Sequence, residues 1–182
     1  MSVLKSEFNL FLKYFPVVEL PILLGEDEHH TFSTENDMLP PDLVSKFLLQ
    51  GEYEFVPLAK EELEIEEFGV NEDDFVEYIP CFKLPDTDDF HAIVYWKADL
   101  LTYEYVLNTF DKNGKSIAAH VIGGMKAEGN KVKQSVTSIQ DDGIIYIAEG
   151  IAEYEIGTTD FDALDGKTVR LELLNSGKII ML

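Results

Sequence analysis

From Val76 onward the chain is cut into short β-rich stretches by glycine turns, and this punctuation narrows the possible folds more than any other feature. The turns are Asp111-Lys112-Asn113-Gly114, Asp141-Asp142-Gly143, Asp165-Gly166 and Asn175-Ser176-Gly177. Asn-Gly and Asp-Gly pairs reach the left-handed backbone conformation at little cost, so they favour tight hairpins. Connections this short join antiparallel neighbours, because a parallel crossover needs a dozen residues or more. The expected strands are Val76–Lys83, Phe90–Lys97, Leu101–Phe110, Lys115–Ile122, Lys131–Gln140, Ile144–Ile156, Thr168–Leu174 and Lys178–Leu182. Phe90–Lys97 is apolar on both faces, with Phe90, Ala92, Val94 and Trp96 on one side and Ile93 and Tyr95 on the other. Such a strand is central and covered from both sides.

The N-terminal segment supplies a cover. Leu4, Phe8, Phe11, Leu12 and Phe15 recur at helical spacing over residues 3–15, and Pro16 ends the run. After an extended Pro16–Leu24 segment, a second helix is expected over Pro41–Gln50. Pro40 and Pro41 suit its entrance, Asp42 its positive end and Gly51 its stop, while Leu39, Leu43, Phe47 and Leu48 form its buried face. The fold class is therefore α+β: two N-terminal helices packed on a mainly antiparallel, meandering β-sheet. A length of 182 residues suits one domain, residues 1–182, without a linker. With 46 % apolar and 27 % charged residues, a disordered tail or a collagen-like chain is excluded. One cysteine, Cys81, excludes a disulfide scaffold.

Charge is the second constraint. The formal net charge is -21, from 35 acidic and 14 basic side chains. Such a body repels phosphate backbones and anionic lipid, so neither nucleic acid nor a membrane surface is an expected partner. The apolar opening is interrupted by Lys13, Pro16, Glu19 and Pro21, which fits neither a signal peptide nor a membrane span, and a cytoplasmic location is expected. Residues 1–90 hold 22 acidic and 5 basic side chains, against 13 and 9 in the strand-rich remainder. The densest stretch, Glu61 to Glu77, has nine carboxylates and no base, interleaved with apolar residues. Its Glu61, Glu62, Glu64, Glu66, Glu67, Glu72, Asp73 and Asp74 would steer a basic protein partner, with Phe68 and Phe75 as anchors.

Motifs for chemistry are sparse. Glu26-Asp27-Glu28-His29-His30 has metal-ligand residue types, but adjacent histidines in one loop read as solvated side chains, and no metal or cofactor is expected. Asp111-x-Asn113-Gly114 starts like a calcium loop, yet glycine comes fourth rather than sixth and Ile122 stands where the bidentate Glu belongs. Gly123-Gly124 and Gly129 belong to no phosphate-binding pattern and read as a flexible connection. Cys81 lies between Pro80 and Phe82 in a strand and reads as an inert packed thiol. Tyr95, Trp96, Tyr103 and Tyr105 read as cross-strand core pairs rather than a sugar-binding face. No catalytic residue is assigned.

Two stretches resemble a known group. Leu12-Lys13-Tyr14-Phe15-Pro16-Val17-Val18-Glu19-Leu20-Pro21-Ile22 resembles the aromatic-Pro, Leu-Pro opening of certain uncharacterised bacterial proteins. Thr109-Phe110-Asp111-Lys112-Asn113-Gly114-Lys115-Ser116-Ile117 is similar to the hairpin in their C-terminal half, ahead of strands like Ser138–Ile147. The resemblance implies a bacterial source and no activity. The expectation is a non-enzymatic, acidic interaction module; the alternative is a ligand-binding or enzymatic domain with a pocket between helices and sheet.

Overall fold

Helix α1 (Val3–Phe11) opens the chain and tightens into a 3-10 turn over Leu12–Tyr14 before Pro16. A short strand β1 (Ile22–Leu24) follows, then helix α2 (Pro41–Leu43), which widens into a π-helical turn over Val44–Leu48. Eight further strands complete the computed structural model, which describes residues 3–25, 36–49, 76–85, 87–153 and 162–182. They are β2 (Glu77–Lys83), β3 (Phe90–Ala98), β4 (Thr102–Asp111), β5 (Ser116–Glu128), β6 (Lys131–Ile139), β7 (Ile144–Glu153), β8 (Asp162–Leu173) and β9 (Ile179–Met181). Each is antiparallel to the next in an unbroken meander, and β1 pairs with β6 off that path.

The antiparallel meander is as expected; the helical share is smaller. The sheet dominates, and the second helix is three α-helical residues and a π turn rather than a run to Gln50. Its last bond is Leu49 N–H to Val44 O at 3.1 Å, and Leu49 beyond it is exposed.

The central strand has both its covers. On one face of β3, Ala92, Val94 and Trp96 join Leu107 of β4 and Ile122 of β5, and meet Ile139, Ile145, Ile147, Val169 and Leu171 from β6–β8. The sheet is thus folded over on itself. On the other face, Ile93 and Tyr95 join Val106, Phe110 and Val121 beneath Phe8, Phe11, Phe15 and Phe47 of the helical segment. Helices, first half-sheet and second half-sheet form three layers.

Two glycine readings are corrected. Gly123-Gly124 lies inside β5, at the corner where the sheet turns, and is not a connection. A register shift falls here, Gly124 pairs with both Glu104 and Ser135, and its φ is +143°. A Cβ at Gly124 would lie 1.9 Å from the Tyr103 carbonyl oxygen, so only glycine lets the strands approach. The Ser135 hydroxyl completes the corner, accepting from Gly124 N–H at 2.8 Å and donating to its carbonyl at 3.1 Å. Beyond it β5 leaves β6, and β1 takes over the ladder at Thr137–Ile139. Asp165-Gly166 likewise sits within β8, opposite Ile151 and Gly150, beside a register shift at Ile151/Ala152. A glycine inside a strand marks a bulge as readily as a turn.

The outer edge of β2 is covered. Lys83 N–H donates to Pro16 O at 2.8 Å, Leu39 N–H to Tyr78 O at 2.8 Å, and the Asn36 amide to Pro80 O at 2.8 Å. Pro80 has no N–H to expose, so this edge presents little to a foreign strand. Among the described residues no helix is long and apolar enough to cross a membrane.

Candidate functional site

The acidic stretch expected to bind a partner (Glu61, Glu62, Glu64, Glu66, Glu67, Phe68, Glu72, Asp73, Asp74 and Phe75) lies outside the described residues, as do His29 and His30. What the structure places is the helical surface of the same acidic half. α1 turns Phe8 and Phe11 inward, fully buried, where the Phe8 ring lies 5.3 Å from Phe47 and 5.2 Å from Phe110. The opposite side of the helical segment leaves Leu10 and Tyr14 in solvent, 53 % and 40 % exposed. Between this side and α2 lies an open groove of about 630 Å³, lined by Glu7, Leu10, Lys13, Tyr14, Pro40, Asp42 and Leu43. An ion pair between Glu7 and Lys46 ties the two helical segments together.

Apolar Leu10, Tyr14, Pro40 and Leu43 with a charged rim suit an inserted side chain. Charge in the groove is balanced, since Glu7 and Asp42 are matched by Lys13 and Lys46. Most of the carboxylates of residues 1–90 lie outside the described residues. The sequence carried a signal for this groove: Leu10 and Tyr14 are apolar positions off the helical stripe, surplus to what one buried face needs.

Cys81, His91, Glu104 and Glu149 lie on strands β2, β3, β4 and β7. Burial pushes the Cys81 thiol well above its usual range, a backbone bond from Trp96 offsetting only part, so it stays protonated. His91 lies 5.7 Å from the Phe8 ring; burial, with the positive charges of Lys112 and Lys83, holds its imidazole below its usual 6.5. Lys112 itself donates to Thr87 O at 2.9 Å and Phe90 O at 3.0 Å. Burial raises the Glu104 carboxyl above its usual range despite Lys97, with Asp99 adding to the rise and Lys126 opposing it. Glu149 is buried on the inner face of β7, 3.4 Å from the half-buried Lys133 ammonium.

The Asp111 turn is a hairpin, not a metal loop: its carboxylate accepts from Asn113 N–H at 2.8 Å and Lys115 N–H at 2.9 Å. Ile122, where a calcium loop would have its twelfth-position Glu, is fully buried. Among the described residues no group of three or more His, Cys, Asp or Glu side chains is placed to hold a metal ion. Tyr95, Trp96 and Tyr105 are buried, and Trp96 packs 5.4 Å from the Tyr103 ring, so the aromatic strands fill the core as expected. Asn108 and Thr109 form a buried polar staple in β4. Thr109 donates to Gly177 O at 2.6 Å, fixing the β8–β9 turn, while Asn108 accepts from the Ser116 hydroxyl at 3.0 Å and has no partner for its amide nitrogen among the described residues. No family model, curated protein or solved structure matches the chain.

Proposed function

We propose that the protein is a non-enzymatic, acidic interaction module that binds a more basic protein. The observation that carries this reading is the groove between α1 and α2, with Leu10 and Tyr14 exposed at its wall, in the half of the chain with 22 acidic and 5 basic side chains. The division of labour is physical. The negative charge of the acidic half raises the encounter rate with a basic partner, and an apolar side chain entering the groove supplies the short-range hold. The acidic Glu61–Phe75 stretch belongs to the steering field in this reading, with Phe68 and Phe75 as further anchors.

The alternative, a ligand-binding or enzymatic domain with a pocket between helices and sheet, gains no support from that interface. Phe8, Phe11, Phe47 and Phe110 fill it with rings 4.9 to 6.2 Å apart. The test is an amide NMR titration of the full chain with a lysine-rich, leucine-bearing peptide. Shifts concentrated at Leu10, Tyr14 and Leu43, weakened by added salt, are expected. A peptide that leaves these resonances unmoved overturns the groove as the docking site.

A further inference from the structure

The two half-sheets differ on their outer faces. Helices cover the outer face of the first. On the second, Ile145, Ile147, Val169 and Leu171 point inward and are buried, while Tyr146, Ala148, Thr168 and Arg170 between them are exposed. The strand register sets the outward side chains in rows. Leu23 of β1 pairs with Ser138, Ser138 with Tyr146, and Tyr146 with Arg170. The next row runs from Ile144 to Glu172 to Ile180. On the other side, Val136, Ala148 and Thr168 form a third. The charges in these three rows are one Arg and one Glu. On a chain of net charge -21 this face is neutral, and it carries Leu23, Val136, Tyr146 and Ile180 in solvent.

We propose that this face is the interface of a two-fold symmetric pair of identical chains. The charges select the occupant. Arg170 and Glu172 stand two residues apart on one face of β8, and Arg170 makes no ion pair among the described residues of its own chain. A two-fold axis lying between two stacked sheets and crossing β8 at Leu171 sets each strand antiparallel over its copy. Arg170 of each chain then faces Glu172 of the other, twice over, and Tyr146 faces Ile144 in the same way. A face whose charges cancel opposes a second copy of this acidic chain less than a net negative face would, and the order of Arg170 and Glu172 gives that copy two opposite charges to meet.

The ten outward positions, on strands about 4.8 Å apart and in rows about 6.8 Å apart, give a footprint of roughly 330 Å² on each copy. The total of roughly 650 Å² is below that of standard specific interfaces, so the pair is expected to be weak, with Kd in roughly the 0.1–1 mM range.

Analytical ultracentrifugation of the full chain from about 5 μM to 1 mM, at about 0.05 and 0.3 M salt, tests this. The mass is expected to rise from 20.6 kDa towards twice that value, and to do so at lower concentration in the higher salt, where net repulsion is screened. Tyr146→Asp is expected to weaken association about tenfold or more, by burying a charge in the interface. Arg170→Glu and Glu172→Arg are each expected to weaken it, and the double exchange, which restores the native net charge, to recover affinity to within about threefold. All three positions are exposed or half-buried side chains, and an unchanged thermal midpoint confirms that each variant folds. A constant mass of 20.6 kDa up to 1 mM in both salts overturns the proposal. So does a dimer indifferent to Tyr146→Asp, or a double exchange no tighter than its single parents.

Discussion

Phe8 joins α1 to the segment after α2 and to strands β3 and β4. Its ring meets Phe11, Phe47, His91 and Phe110, and a Cβ built on Gly114 would lie 2.6 Å from its Cγ. Phe8→Ala is expected to cost about 3–5 kcal/mol, read as a lower denaturant midpoint, because the cavity has rigid aromatic walls. Gly114, with φ at +87°, is held from both sides, by the turn and by Phe8. Histidine titration by NMR is expected to place the His91 pKa below 6.5, and Lys112→Gln to raise it without restoring that value, since burial is the larger cause. The sign for stability follows. A depressed His91 pKa contributes stability that is present above 6.5 and lost as pH falls through the lowered value. Glu104 works the other way: its raised pKa gives stability that is present below about 4.5 and lost as pH rises through the raised value. Glu104→Gln is therefore expected to gain most over the wild type at pH 8 and to converge with it near pH 4, in denaturation curves taken across that range.

At the scale of elements, the sequence showed what repeats and concealed what happens once. The turns at Asn113-Gly114, Asp142-Gly143 and Ser176-Gly177 were legible because local backbone preference decides a hairpin. So was the two-faced character of β3, since period-2 patterning needs no knowledge of partners. The corner at Gly124 and the bulge near Gly166 were not. There glycine is required by a close approach or a register shift involving a strand far away in sequence, which no local window contains. β1 was missed as a strand for the same reason: Ile22–Leu24 is a strand only because β5 departs from β6 and leaves a ladder open. The groove was not read from the sequence: Leu10 and Tyr14 stand off the helical stripe, but the distance from α1 to α2 is set by the fold. The corner carries its own expectation. Gly124→Ala should shift β4 against β5 and cost more than about 2 kcal/mol, because the conformation and the Tyr103 carbonyl both reject a side chain. Lys133→Ala should cost about 1–3 kcal/mol by leaving the buried Glu149 carboxylate without its partner, moderated by the water that reaches Lys133. Urea denaturation of the two variants checks both.

For the whole molecule, charge and architecture assign different work to different faces. The helical face lies in the acidic half and presents a groove; the outer face of the second half-sheet is neutral and self-complementary; the covered edge of β2 presents little. A net charge of -21 also loads the folded state with repulsion. Raising salt to about 0.3 M at pH 8 is therefore expected to lift the melting temperature by a few degrees, since screening then acts within the dimensions of the protein. No lift would mean that the carboxylates are individually neutralised. On the proposed reading the acidic field attracts a basic partner and the groove holds it. The decisive test is the dissociation constant of the lysine-rich, leucine-bearing peptide for the wild type and for Leu10→Ala/Tyr14→Ala, each at about 0.05 and 0.3 M salt. The expected result is weakening of about tenfold with salt for both proteins, and a further loss of about tenfold or more for the variant at either salt. Equal affinity of variant and wild type, or binding indifferent to salt, would contradict it.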